Sequence, residues 1–180
     1  ISPQGSFLLG TVVRNIHQDD DIDIDIVAMR DIDKTSTSQE ALKVDVGVVA
    51  DNYAGRVFSG LPAVSECSRC WTLTWPGMHL DILPAIPNRE VPGTSLLITD
   101  RDVRQWLSSN PAGYAEWFQD RMRDEQVAQR TVLAKQLEVD DVPDWQVKTT
   151  LQQAVQALKR HRDVFFAGRL QDRPAGGGPR

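Results

Sequence analysis

The stretch that decides the fold is DDDIDIDIV, residues 19–27, in which acidic and apolar side chains alternate. Alternation with a period of two is typical of a β-strand with one polar and one apolar face. The isoleucines therefore point to one face, and the last three aspartates, Asp21, Asp23 and Asp25, point to the other. Three carboxylates in a row repel one another, so such a row is either solvated at an exposed edge or neutralised by cations. The strand alone leaves both interpretations open.

A fourth aspartate, Asp81, lies in MHLDILP, residues 78–84, which is otherwise an apolar strand pattern. A single carboxylate in such a strand is costly unless it is paired or coordinates an ion. Carboxylates at i and i+2, with a third from a neighbouring strand, form the oxygen-rich set that suits Mg²⁺ or Mn²⁺. Two such ions can clamp the oxygens of a phosphoryl displacement. This pattern predicts catalytic, metal-binding roles for Asp23, Asp25 and Asp81, although Asp21 shares their face and leaves a shift of the pair by two residues open.

The composition is that of a globular domain: 180 residues, 41% hydrophobic and 25% charged. The net charge of -5 argues against a general nucleic-acid-binding surface. Residues 148–173 hold six Lys/Arg against two Asp, a local +4, which leaves -9 for the remainder. An acidic body with one basic segment suits a site that binds metal and phosphate. No apolar run is long enough to cross a bilayer.

The two cysteines, Cys67 and Cys70, form a single CxxC. A structural zinc site needs four ligands, usually as two such pairs. We therefore expect two reduced thiols near the start of a strand, which suits a cytoplasmic protein.

The pattern of elements in the first half is mixed. A short helix is predicted within 6–13, after a turn at Gly5. A capping box of Thr37 and Glu40 predicts a second helix, whose apolar positions recur at helical spacing: Leu42, Val46, Val49 and Tyr53. Strands are predicted at 70–75 and 78–84, joined by a tight Pro76-Gly77 turn.

The second half is predicted to be mostly helical. Thr99 or Asp100 is expected to cap a short helix, and a long polar helix is expected from Pro111 toward Leu137. A further helix within 148–167 has an apolar stripe of Leu151, Val155, Leu158 and Phe165. The short helix capped by Thr99 or Asp100 is expected to carry Val103 and Trp106. An α/β part followed by helices indicates an α+β fold, ending in a Gly/Pro/Arg-rich tail or loop, residues 168–180.

A place for phosphate is offered by Gly5-Ser6, because a Gly-Ser turn that opens a helix presents backbone N–H groups and a hydroxyl. Ser6 precedes Asp23 by 17 residues. The chain here resembles the polymerase-β-like nucleotidyltransferase superfamily, whose Gly-Ser, Asp-x-Asp and distal Asp motifs match GSFLLGTVVR, DDDIDIDIV and MHLDILPAIP. It is further similar to the bacterial CD-NTases, the cGAS/DncV-like cyclic-oligonucleotide synthases of antiphage CBASS defence, in RCWTLTW, LLITDRDVRQWLSSNPAGYAEWF and KTTLQQAVQALKRHRDVFF.

The resemblance covers about residues 2–166 and implies a polymerase-β-like core, a mixed sheet with flanking helices, over 1–98. A helical portion over 99–167 would pack on that core. Family members have residues before the Gly-Ser turn and a further helical portion after the basic helix, so we expect a fold that is incomplete at both ends.

The resemblance also assigns site residues. Gly5 and Ser6 would bind the triphosphate of a nucleotide, and Asp23 and Asp25, rather than Asp21, would bind two Mg²⁺ or Mn²⁺ ions together with Asp81. Lys159 would reach the donor phosphates; the competing interpretation is a solvated basic helix face.

The activity implied is the joining of NTPs, ATP and also GTP or a pyrimidine NTP, into a cyclic di- or trinucleotide second messenger with release of pyrophosphate, in antiphage defence. The alternatives are nucleotidyl transfer to an RNA or protein acceptor, and a catalytically incomplete nucleotide-binding module. Regulatory protein partners encoded alongside are expected, with no membrane and no stable nucleic-acid partner.

Three further expectations concern side chains near these motifs. His79 is two residues from Asp81 and could orient that carboxylate, with simple packing as the alternative. His161 is expected in the core rather than in catalysis. Most of the five tryptophans are expected in the core.

Overall fold

The computed structural model describes residues 1–14, 21–56, 62–140, 142–143, 146–169 and 172. Its centre is a mixed sheet in the strand order β1-β2-β5-β4-β3. These strands are β1 (Ser2–Gln4), β2 (Ile22–Met29), β3 (Ala63–Glu66), β4 (Trp71–Trp75) and β5 (Met78–Pro87). Two short strands, β6 (Leu96–Ile98) and β7 (Leu107–Ser109), continue from the second half of β5. The predicted strands at 22–28, 70–75 and 78–84 are confirmed, and β5 is three residues longer than predicted.

The long strands β2 and β5 run parallel at the middle of the sheet, whereas the other pairs are antiparallel. A parallel pair requires a crossover, and this one contains the helix α2 (Gln39–Ala54). On one face of the sheet, α2 packs Leu42 against Ile86 and Leu97. On the other face Val27, Leu83 and Ala85 form a second apolar cluster with Ile98, and the aspartates of β2 lie further along this second face.

Helix α2 begins one residue later than its predicted cap. The Ser38 side chain, not Thr37, accepts the backbone N–H of Ala41 and is the N-cap. The side chains that α2 buries are also smaller than predicted. Val49 and Tyr53 are exposed, and Ala50 and Ala54 are buried in their place. Small residues are favoured here because Trp71 lies against Gly47, where an added Cβ would be 2.3 Å from its ring.

The predicted short helix after Thr99 is wrong. The Asp100 carboxylate accepts the backbone N–H groups of Asp102 and Val103, and Arg104 has a positive φ of 56°. These contacts close a turn in place of a helix, and the chain then enters β7. A side chain that can cap a helix can also close a turn, because both conformations leave the backbone N–H groups two and three residues further on in need of an acceptor.

The remaining helices are α1 (Gly5–Leu8), α3 (Pro111–Leu137) and α4 (Thr150–Phe165). The predictions for the first two are confirmed. Helix α4 is present, but Leu158 and Phe165 of its predicted apolar stripe are exposed, and its buried residues are Gln152 and Asp163. No described helix is both long and apolar enough to cross a membrane.

The observed α+β architecture, a mixed sheet with flanking helices, agrees with the predicted fold class. Strand β6 ends at residue 98, and its partner β7 lies beyond the predicted boundary. The division into 1–98 and 99–167 stays a prediction. Of the predicted tail at 168–180, only 168, 169 and 172 are among the described residues.

Candidate active site

The site is organised by a row of residues that face one another across four strands. In the register of the sheet Gln4 pairs with Asp25, Asp25 with Asp81, and Asp81 with Thr72. Directly paired residues point to the same face of a sheet. The parallel β2–β5 pair therefore places the Asp81 carboxylate beside that of Asp25, and Asp23 follows one pleat further along β2.

The predicted triad is assembled in the structure. One ligand atom from each of Asp23, Asp25 and Asp81 lies within 4.8 Å of the other two, and all three side chains are half-buried. Oδ1 of Asp23 is fully buried and faces Nε2 of His79 at 3.2 Å. A buried, ionised carboxylate oxygen is unfavourable without compensating positive charge. Three clustered carboxylates hold more negative charge than one imidazole can balance, and hard oxygen donors of this kind fit a divalent metal ion.

The electrostatics of the triad agree with this fit. Burial, together with the negative charges of Asp23 and Asp81, raises the pKa of Asp25 to about 6. Burial likewise raises the pKa of Asp23, an effect that His79 opposes. The protein thus holds carboxylates in a place where their charged forms are disfavoured, as expected for a site completed by positive charge.

This raised pKa predicts how pH affects metal binding. A metal ion binds the ionised carboxylate, so Mn²⁺ affinity should be constant above pH 7 and fall as the pH drops below about 6, by up to about tenfold per unit for each proton displaced. The same titration also affects the stability of the folded protein, with a pH dependence opposite to that of metal affinity. Without metal the folded protein binds more protons than the unfolded chain between pH 3.8 and about 6, so Asp25 disfavours folding as the pH rises through this range.

Thermal unfolding with and without Mn²⁺ checks this prediction. Mn²⁺ should raise Tm more at pH 8 than at pH 5, because tighter binding to the folded state gives a larger shift. Asp25→Asn should remove most of the difference between the two pH values. An equal shift at both would show that Asp25 does not titrate with metal binding.

Gly5 lies directly over the Asp25 carboxylate. It follows the β1 residue that pairs with Asp25, and its φ of +64° is in the left-handed region. A Cβ built at Gly5 would be 2.1 Å from Oδ2 of Asp25. Only glycine fits both the backbone conformation and this approach. The structure therefore brings the predicted Gly5-Ser6 turn to the same end of β2 as the carboxylates.

A comparison with known domain families decides where the chain belongs. The Second Messenger Oligonucleotide or Dinucleotide Synthetase domain (SMODS) matches residues 1–121, which include β1, the Gly-Ser turn and all three aspartates. The chain belongs to this family.

Relatives of the synthetase domain agree with the membership. A protein named c-di-GMP synthase from Roseivirga ehrenbergii is 28% identical over 97% of this chain and 45% of its own length. The cyclic dinucleotide synthase CdnG of Bradyrhizobium diazoefficiens is 28% identical over 92% of this chain and 42% of its own. The solved structure of that CD-NTase in complex with GTP superposes with a TM-score of 0.66 at 26% identity, covering 93% of this chain and 51% of that one. The resemblance to CD-NTases is confirmed, and the chain spans about half the length of the relatives it matches.

Beyond the residues that match the synthetase family, helix α4 is joined to the segment that follows α1 by a ladder of hydrogen bonds. We call this segment, residues 9–14, the post-turn segment. Five side chains from α4 and the residues just before it donate to its backbone carbonyls: Gln152 to Leu9 at 3.0 Å, Lys148 to Gly10 at 3.2 Å, Lys159 to Thr11 at 3.2 Å, Gln156 to Val12 at 2.8 Å and Arg160 to Arg14 at 2.6 Å. The polar face of α4 therefore supports the post-turn segment, which directly follows α1 and its Gly-Ser turn. Sequence reasoning missed this role of Gln152 and Gln156.

Lys159 belongs to the ladder and also faces the triad. Its side chain is half-buried, and burial, followed by Arg162, lowers its pKa while Asp23 and Asp25 raise it. The half-buried ammonium group donates to the carbonyl of Thr11, which argues against the interpretation as a solvated basic helix face. Its reach to donor phosphates stays a prediction.

His79 contacts different carboxylates from the predicted one. Its Nε2 lies 3.2 Å from Oδ1 of Asp23, and its Nδ1 lies 3.7 Å from Oδ2 of Asp21. The strand register explains the difference, since His79 pairs with Asp23 across β2 and β5. The carboxylate of Asp81 instead accepts a hydrogen bond of 2.5 Å from the Thr72 hydroxyl, a partner that sequence reasoning missed.

The remaining candidate residues make no direct contact with the three carboxylates among the described contacts. His161 is exposed, so the expected core histidine is wrong. Trp71, Trp75 and Trp106 are half-buried, the first and last of them against α2, whereas Trp117 is half exposed and stacks on Tyr114. None of the four described tryptophans is fully buried, so the expectation that most lie in the core is met only in part. Trp145 lies outside the described residues, as do Asp19 and Asp20. Cys67 and Cys70 are free thiols in the turn between β3 and β4.

Proposed function

We propose that this chain carries the catalytic face of a cyclic dinucleotide synthase, which attacks the α-phosphate of one NTP with a ribose hydroxyl of another and releases pyrophosphate. The observation that carries the proposal is the convergence of the half-buried carboxylates of Asp23, Asp25 and Asp81, with ligand atoms within 4.8 Å of one another. Membership of the SMODS family and two relatives named as cyclic dinucleotide or c-di-GMP synthases support it. Two closures of the same bond would give the cyclic product.

We assign Asp23, Asp25 and Asp81 as the residues that hold two Mg²⁺ or Mn²⁺ ions. Bound there, such ions lower the pKa of an attacking hydroxyl and stabilise charge on the phosphate oxygens. The chain's own residues position these ligands. The hydrogen bond from Thr72 holds Oδ1 of Asp81 in place. The Asp81 carboxylate can also accept the proton of the attacking hydroxyl.

The nucleotide is proposed to lie between the triad and the Gly-Ser turn. Gly5 places its backbone beside Asp25, so a phosphate bound to a metal ion there is within reach of the turn and of the Ser6 hydroxyl. Lys159 is the cation that faces the same carboxylates from α4. GTP is the first substrate to test, because one relative is named for c-di-GMP and another has been solved with GTP. ATP, a trinucleotide product, regulatory partners and a role in antiphage defence rest on the CD-NTase resemblance.

The test is product analysis. The folded protein is incubated with Mg²⁺ and GTP, ATP or all four NTPs, and pyrophosphate and small nucleotides are measured by mass spectrometry. We expect pyrophosphate and a cyclic dinucleotide containing guanine. Absence of pyrophosphate from folded protein that binds Mn²⁺ would overturn the synthase proposal. Label from an α-labelled NTP that appears on a macromolecule would favour the alternative acceptors.

The proposed role of Lys159 predicts an effect on substrate binding. Lys159→Met removes the ammonium group, and the loss of a charge-assisted contact to phosphate should raise the KM for NTP by about 10- to 100-fold. The matched control is Lys148→Met, because Lys148 makes a ladder bond of the same 3.2 Å length to the adjacent carbonyl. The control should change KM less than threefold. Equal effects of the two variants would mean that Lys159 only supports the post-turn segment.

A further inference from the structure

A hydroxyl group stands between the acidic triad and the two thiols. Thr72 pairs with Asp81 in the register of β4 and β5, so their side chains lie on the same face. Its Oγ1 donates to Oδ1 of Asp81 at 2.5 Å. The same oxygen lies 3.4 Å from Sγ of Cys67 and 3.9 Å from Sγ of Cys70.

The chemistry of these groups fixes the direction of the contacts. A threonine hydroxyl has one proton, and a carboxylate can only accept. The proton of Thr72 therefore points to Asp81, and the Thr72 oxygen is left to accept from the thiol of Cys67. The contacts form a relay that runs from thiol to hydroxyl to carboxylate.

The position of the thiols is itself fixed. The backbone N–H of Cys67 donates to the carbonyl of Cys70 at 3.0 Å, which closes the turn that carries both sulfurs. Lys43, a buried residue of α2, donates to the carbonyls of Cys67 and Ser68 at 2.5 and 2.6 Å. This lysine anchors the turn to the helix on the opposite side of the strand, so the sulfurs have a defined place beside Thr72.

We propose that Thr72 is the positioning residue of Asp81 and that the Cys67–Cys70 turn holds its hydroxyl in the orientation required. The proposal rests on the proposed function in so far as Asp81 is taken as a metal ligand. Repulsion from Asp23 and Asp25 would turn the Asp81 carboxylate away when no cation is bound, and the bond from Thr72 opposes this rotation. Partners of metal ligands typically change metal affinity or activity by about 10- to 100-fold when they are removed.

The experiment is Mn²⁺ binding to the whole chain by titration calorimetry at pH 8, without nucleotide. Thr72→Val keeps the shape of the side chain and removes the hydroxyl, and should weaken Mn²⁺ binding by about 10- to 100-fold. Thr72→Ser keeps the hydroxyl and should stay within threefold of the wild type. Thr74→Val is the matched control: Thr74 is the next residue on the same face of β4, is exposed and pairs with His79. A folded Thr72→Val protein with wild-type Mn²⁺ affinity would overturn the proposal.

A double-mutant cycle tests the part played by the thiols. Replacing both cysteines by alanine should weaken Mn²⁺ binding several-fold in the wild type and should have no further effect in Thr72→Val, because the thiols act through that hydroxyl. Additive losses would show that the cysteines only pack the turn, and would remove them from the relay.

These outcomes are separable from failure of the proposed function. A wild-type protein that binds Mn²⁺ but yields no pyrophosphate leaves the Thr72 inference open to the same titrations while the synthase proposal falls. An active wild type whose Thr72→Val variant keeps both its Mn²⁺ affinity and its dependence of turnover on Mn²⁺ sinks the inference alone. Failure of the wild type to bind Mn²⁺ at millimolar concentration would overturn both.

Discussion

Asp23→Asn should abolish nucleotidyl transfer while leaving the protein folded. The substitution keeps the size of the side chain and removes the negative charge of a triad carboxylate whose Oδ1 is fully buried. We expect turnover to fall by at least about a thousandfold, which corresponds to about 4 kcal/mol of transition-state stabilisation. Mn²⁺ binding, measured by calorimetry, should fall with it.

The stability of this variant separates lost chemistry from lost structure. Asp23 is one cause of the raised pKa of Asp25, so removing its charge relieves repulsion in the metal-free protein. The Tm of Asp23→Asn without metal should therefore equal or exceed that of the wild type, and Mn²⁺ should no longer raise it.

Asp21→Asn is the matched control. Asp21 directly precedes β2, is exposed and is not part of the clustered triad. Activity within threefold of the wild type is expected. The opposite pattern, with an inactive Asp21 variant and an active Asp23 variant, would shift the ligand pair by two residues, which is the alternative that strand alternation alone leaves open.

Much of the fold follows from periodicity and turn residues. Alternation in 22–28 predicts β2 and its two faces, and Pro76-Gly77 predicts the β4–β5 hairpin; both are confirmed. Sequence propensity does not predict the structure where one side chain can fill either of two roles. Asp100 could close a turn or cap a helix, and its sequence neighbours do not distinguish them. The prediction of the apolar positions of α2 is partly wrong for another reason. Trp71 lies close to Gly47 on the buried side of the helix, which favours small residues there, and a helical pattern does not reveal this contact.

One feature of the site could have been derived and was missed. In a two-residue hairpin the residues that flank the turn pair with each other, so Trp75 opposite Met78 places Thr72 opposite Asp81. The register thus identifies the partner of Asp81 from the sequence alone. The contact of His79 with Asp23 cannot be predicted in the same way. It depends on the register of the parallel β2–β5 pair, and no short turn specifies that register.

The support from α4 could not have been predicted in this way. Its ladder joins residues about 140 positions apart, for example Gln152 and Leu9. The donors are glutamine, lysine and arginine, which on a helix usually face solvent. An apolar stripe is therefore a poor guide to a helix that packs on backbone carbonyls. The exposure of Leu158 and Phe165 is the direct consequence.

Gly5→Ala should disable the site through the backbone. At a φ of +64° any other residue costs about 1–2 kcal/mol, and the added methyl would lie 2.1 Å from Oδ2 of Asp25. Either the Asp25 carboxylate rotates out of the triad or β1 moves away from β2. Both changes should lower turnover by at least about a hundredfold, as a displacement of about 1 Å does in other active sites, and should weaken Mn²⁺ binding in calorimetry.

Gly93→Ala separates backbone strain from contact with Asp25. Gly93 has a φ of +101° but nothing within 4 Å of an added Cβ, so this variant should lose a few degrees of Tm and keep its Mn²⁺ affinity. Truncating the crowded partner supplies the converse test: Asp25→Ala in the Gly5→Ala background should recover stability but not metal binding. If Gly5→Ala alone keeps wild-type Mn²⁺ affinity, then Gly5 does not control the position of Asp25, and the tight approach of β1 to the acidic strand has no part in forming the site.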